Sequence, residues 1–75
     1  MFSTNQITQV LASRDRAQAL DAWREAANLV ATRWQRFVEA ESEGRQWAFA
    51  AYVAALDAEA AAAAELAALA TPLAA

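Results

Sequence analysis

The 75-residue sequence contains no cysteine, no histidine and no lysine. Without cysteine and histidine, the chain has neither the disulfides nor the zinc sites that often stabilise small domains. The same three residue types supply most nucleophiles and general bases in enzymes. We therefore predict that the protein is not an enzyme and has no catalytic residues, no cofactor and no metal site.

Glycine and proline occur once each, which excludes a glycine-rich phosphate-binding loop. The longest charge-free apolar run covers residues 47–56, about half of the ~20 residues that a membrane-spanning helix needs. Residues 1–10 lack the basic segment and apolar run of a secretory signal peptide. These observations predict a cytoplasmic protein without a membrane partner.

Positive charge is scarce, because six arginines stand against nine acidic residues and the net charge is −3. This balance disfavours a general nucleic-acid binder. Glu39, Glu41 and Glu43 could form a metal cluster in principle. On a helix, Glu41 would point away from the other two, so we interpret the three residues as a solvated helix end.

Alanine is the most abundant residue, at 24 of 75 positions. It enters a helix at the lowest free-energy cost, but each buried alanine removes little apolar area from water. A chain of this length buries only roughly 60–65% of its unfolded surface. The composition therefore predicts long helices that are stabilised in part by self-association.

Two stripes of apolar residues repeat with a spacing near that of a coiled coil. The stripes consist of Leu20, Trp23, Ala27, Val30, Trp34 and Phe37, and of Phe49, Val53, Leu56, Ala60, Ala63 and Leu66. They predict two long amphipathic helices that fold into a hairpin. Bulky side chains of one helix should pack against the alanine-rich stripe of a neighbouring helix.

Local signals near the N-terminus predict a short first helix. Ser3 and Gln6 fit a capping box, which places this helix over residues 4–12. Ser13 and Asp15 are favourable N-cap types and predict a break at residues 13–15. The alternative is a continuous helix, because no glycine or proline forces the break.

Two further helices should follow. A helix over residues 16–43 should end in a left-handed C-cap at Gly44, the only glycine of the chain. A third helix should cover residues 45–70. It should leave a short tail at 71–75, since a proline at position 72 disfavours helix at the preceding residue.

Trp47 lies off the second stripe, among alanines that share its side of the helix: Ala51, Ala54 and Ala58. Leu29 likewise lies off the first stripe, on the side of its helix opposite Leu20. These residues form a second apolar surface, and an exposed tryptophan ringed by alanines is typical of an association site. The alternative is that Trp47 folds back over the turn as a local plug.

Taken together, these patterns predict an all-α protein: a short N-terminal helix and a long antiparallel hairpin that dimerises into a four-helix bundle. We expect a non-enzymatic protein–protein interaction module, such as an adaptor, an assembly component or a regulatory subunit. The residues predicted to form its packing and association surfaces are Leu20, Trp23, Val30, Trp34, Phe37, Trp47, Phe49, Val53, Leu56 and Leu66. The alternative is a nucleic-acid-associated regulator, antitoxin-like or phage-encoded, that uses Arg14, Arg16, Arg24, Arg33 and Arg36.

Overall fold

The computed structural model describes residues 4–70, which form two helices joined by a turn. Helix α1 runs over Thr4–Glu39 and helix α2 over Arg45–Ala70. The helices pack antiparallel, with the ring of Trp34 beside that of Tyr52 and the ring of Phe37 beside that of Phe49. The predicted all-α fold and helical hairpin are therefore confirmed. The capping box and the tail at residues 71–75 lie outside the described residues.

Helix α1 continues through residues 13–15, so the predicted break and the separate short N-terminal helix are wrong. Ser13 and Asp15 favour caps because their side chains compete for backbone hydrogen bonds. An N-cap is worth only about 1 kcal/mol, which good helix formers on both sides outweigh. No glycine or proline stands in this stretch to stop the helix.

The substitution Ser13→Ala distinguishes a residue inside a helix from an N-cap by the sign of its effect. Within a continuous helix, alanine should raise the free energy of unfolding by about 0.5 kcal/mol. At an N-cap, the same change should lower it by about 1 kcal/mol. Urea unfolding followed by circular dichroism measures the difference in the free energy of unfolding. A destabilised variant would support the predicted helix break at residues 13–15.

The turn begins earlier than predicted, because α1 ends at Glu39 rather than at residue 43. The run of acids is unfavourable at the negative end of a helix dipole. Carbonyl groups at the end of α1 accept hydrogen bonds from outside the regular helix. The Ala40 amide donates to the Phe37 carbonyl at 3.2 Å, and the Arg45 guanidinium donates to the Ala40 carbonyl at 3.3 Å.

Gly44 is not a left-handed C-cap, because no residue in the described part of the chain has a positive φ. Its amide donates to the Glu41 carbonyl, and its own carbonyl accepts the Ala48 amide, each at 3.0 Å. The second of these bonds belongs to the first turn of α2. Gly44 thus stands at the start of the second helix, whereas the prediction placed it at the end of the first.

The seam between the helices follows a heptad pattern of buried and half-buried residues on both sides. The residues on the α1 side are Ala19, Trp23, Ala26, Val30, Arg33, Phe37 and, just past the helix end, Ala40. The residues on α2 are Ala48, Tyr52, Ala55, Glu59, Ala62 and Leu66. Alternating spacings of three and four residues keep such a seam continuous along both helices.

The seam on α2 lies one residue before most of the predicted stripe. Phe49, Val53 and Leu56 are 49%, 37% and 36% exposed, so the face that packs against α1 is not the predicted one. A one-residue shift rotates the packed face by about 100°. Both phases of this alanine-rich helix are apolar, and the spacing alone did not distinguish them. Of the predicted stripe, Leu66 lies in the seam and Phe49 reaches α1 through its ring contact with Phe37, whereas Val53 and Leu56 belong to an exposed surface.

Helix α1 extends past the described end of α2. The last turns of α2, at Glu65 and Leu69, lie beside Asp15 and Ala22 of α1. The first 12 residues of α1, from position 4 to about position 15, therefore lie beyond the described residues of α2, over a length of about 18 Å. Most large apolar side chains on this extension, such as that of Val10, are more than half exposed.

Candidate association interface

Four aromatic rings form a closed cluster near the turn. The ring centroid of Trp34 lies 5.6 Å from that of Phe37 and 5.1 Å from that of Tyr52. The ring centroid of Phe49 lies 5.4 Å from that of Phe37 and 6.4 Å from that of Tyr52. Tilted arrangements of this kind are favourable for aromatic pairs. Trp34 and Phe49 each pack across the seam onto the other helix, and both lie on the same side of the hairpin.

That side of the hairpin carries further apolar residues, because helix positions four or seven apart share a face. The set consists of Leu20, Ala27, Ala31, Trp34 and Val38 on α1 and of Phe49, Val53, Leu56, Ala60, Ala63 and Ala67 on α2. We call this set the apolar face. Its five largest exposed members are Trp34, Val38, Phe49, Val53 and Leu56.

Few charged residues lie on this side. Among the described helix positions, Arg16, four residues before Leu20, and Arg24, seven residues before Ala31, are the charged residues that share it. The opposite side, which we call the charged face, includes Asp15, Glu25, Arg36 and Glu65. The hairpin as a whole is therefore amphipathic: besides the apolar seam between its helices, it has one apolar outer side and one charged outer side.

The interior of the hairpin is small. Among the described residues only Ala19, at 8% exposure, and Ala55, at 4%, are buried, and no large side chain is fully buried. Two charged residues, Arg33 and Glu59, occupy half-buried seam positions. Long side chains of this kind can cover a seam with their stems while their charged ends reach water. Such limited burial gives a single hairpin little stability of its own.

The accessible surface of the chain agrees with this small interior. One chain of 8.1 kDa exposes 6101 Å². A compact monomer of the same mass should expose about 4,500 Å². The excess is roughly twice the ~800 Å² that each partner buries in a standard protein interface. The chain thus has enough uncovered surface for a stable dimer.

The residues predicted for packing and association fall into three groups. Some are half-buried in or beside the seam: Leu20, Trp23, Val30, Phe37 and Leu66. Others are exposed on the apolar face: Trp34, Phe49, Val53 and Leu56. Trp47 stands apart from both groups. The prediction missed Val38, although its spacing of four from Trp34 places it on the same face.

Trp47 is 71% exposed, so it does not fold back over the turn as a plug. Leu29, which was predicted to share its surface, is 41% exposed on the charged-face side of α1. Alanines and charged residues surround both side chains. The apolar face is the larger continuous surface, because its bulky residues adjoin one another across the two helices.

The five arginines proposed for nucleic-acid contact do not share one face of α1. Arg33 lies half-buried in the seam, Arg24 lies on the side of the apolar face, and Arg36 lies on the charged face. A phosphate backbone is bound most effectively by arginines on one continuous stripe. This arrangement does not favour the alternative function.

No protein-family model matches the chain, and no curated protein or solved structure is significantly similar to it. Between residues 4 and 70, neither helix combines the length and the apolar character required to cross a bilayer. Three or more potential metal-ligating side chains do not gather anywhere in the same range. The geometry of the hairpin is therefore the basis for a functional proposal.

Proposed function

We propose that this protein is a small, non-enzymatic, helical protein–protein interaction module that works as a self-associated dimer. Adaptors, assembly components and regulatory subunits are the classes that fit such a module. One observation carries the proposal: among its described residues the hairpin buries only Ala19 and Ala55, yet it aligns five large apolar side chains along one exposed face.

Self-association explains both halves of that observation. A helix pair without a substantial interior is marginal in water, since most helix stability in proteins comes from packing of an apolar face. Continuous exposed apolar faces usually mark interaction sites. Packing of two apolar faces would create the interior that one hairpin lacks, in the form of a four-helix bundle.

Light scattering coupled to size-exclusion chromatography tests the proposal. We expect a mass of twice the 8.1 kDa chain over protein concentrations of about 1 to 200 μM, with dissociation only at the dilute end. Helicity measured by circular dichroism should fall together with the dimer. A fully helical monomer at every concentration would refute self-association.

A further inference from the structure

We propose that the apolar face is covered by a second copy of this chain, and that the two hairpins pack with their turns at opposite ends. This inference rests on the proposed function and adds the orientation of the partner. The excess accessible surface of one chain is sufficient for such a dimer. The orientation follows from the distribution of side-chain size and charge along the apolar face.

Side-chain size changes along the face. Near the turn, the face carries Trp34 and Val38 from α1 and Phe49 and Val53 from α2. Away from the turn, α2 contributes alanines at positions 60, 63 and 67, whereas α1 contributes alanines at 27 and 31 and larger residues at positions 20 and 24. The face is therefore raised at the turn end, and the α2 side of its other end is low.

A two-fold dimer can pair these halves in two ways. With turns at the same end, the bulky halves meet, and Trp34 and Val38 of one copy lie over Phe49 and Val53 of the other. With turns at opposite ends, Phe49 and Val53 of each copy lie over the alanines of α2 in the other copy. Protein interfaces reach the packing density of protein interiors, and the second arrangement approaches that condition by pairing large side chains with small ones along α2.

The position of Arg24 on this side favours the same orientation. With turns at the same end, α1 of one copy lies over α2 of the other, and Arg24 faces the alanines at positions 60 and 63. With turns at opposite ends, α1 lies over α1 of the other copy. Each Arg24 then lies near the level of Trp34 in that copy, where a guanidinium can stack on an aromatic ring.

Distances between spin labels distinguish the two orientations. The chain has no cysteine, so a single substitution labels one site per copy. A label at Glu43→Cys lies in the exposed turn. We expect about 45 Å between the two labels of a dimer with turns at opposite ends, and less than about 25 Å with turns at the same end, from the helical rise per residue.

A label at Asn28→Cys serves as the matched control. This residue is exposed and lies near the middle of the hairpin body, so its distance to the same residue in the other copy is short in both orientations. A short distance at Asn28→Cys together with a long one at Glu43→Cys supports the proposal. Short distances at both sites overturn the orientation while self-association stands. No distance at either site, with a monomeric mass, overturns both.

Discussion

Leu56→Glu is expected to weaken self-association by at least about 100-fold, which corresponds to ~2.7 kcal/mol of binding free energy. Leu56 lies near the middle of the apolar face and is 36% exposed in the single hairpin. In the proposed dimer, the new carboxylate would lie in an apolar interface without a partner, and such burial costs several kcal/mol. Two-fold symmetry would also bring the two new charges close together.

Leu29→Glu is the matched control for this experiment. Leu29 has a similar exposure of 41%, but it lies on the charged-face side of α1. Both variants add the same charge, so any difference between them reports position alone. Light scattering at a fixed concentration should show a monomer for Leu56→Glu and a dimer for Leu29→Glu. The reverse result would move the interface to the side of Leu29 and Trp47.

Trp34→Ala should lower the free energy of unfolding by about 3 kcal/mol, at the lower end of the range for removing a large aromatic side chain. Trp34 contacts the rings of Phe37 and Tyr52, and its exposed half contributes to the apolar face. Since the core of so small a domain rarely supplies more than a few kcal/mol, this loss should remove most of the folded population at micromolar concentration.

Trp47→Ala is the matched control, because it removes a side chain of the same type from a position that is 71% exposed. We expect a change within about 0.5 kcal/mol, as for most surface substitutions. Chemical unfolding followed by far-ultraviolet circular dichroism at matched concentrations measures both variants. Equal effects would show that the ring cluster does not stabilise the hairpin, or that Trp47 has a packing role that the single chain does not display.

Which face of α1 packs against α2 could be predicted only in part, because Trp23, Val30 and Phe37 lie in the seam, whereas Leu20, Ala27 and Trp34 lie on the apolar face. The packed face of α2 differed from the predicted one along most of the stripe. Polar residues such as Asp21, Asn28 and Gln35 occupy the outer side of α1 and restrict the packed stripe to one face. In α2, alanines surround the helix, and one of its few charges, Glu59, lies on the seam. Hydrophobic spacing then fits two faces equally well, and the choice depends on packing against α1.

The same ambiguity reversed the roles of the α2 residues. Phe49, Val53 and Leu56 were predicted as packing or interface residues on the main stripe of their helix, and they lie on the exposed apolar face, with only the ring of Phe49 in an aromatic contact with α1. The seam instead uses Ala48, Ala55 and other small residues, which allow two helices to approach closely. The existence of two apolar surfaces could be predicted from composition, but which one faces α1 depends on contacts distant in the sequence.

The ring cluster beside the turn has a consequence for the order in which the chain folds. Its contact between Phe37 and Phe49 joins residues close together in the sequence, whereas Ala19 and Leu66 at the other end of the seam are far apart. The entropy lost on closing a loop grows with loop length, by about 0.6 kcal/mol per doubling. The aromatic end is therefore the part of the seam that nucleates at the lowest free-energy cost, and the alanine end is added by helix propagation from it.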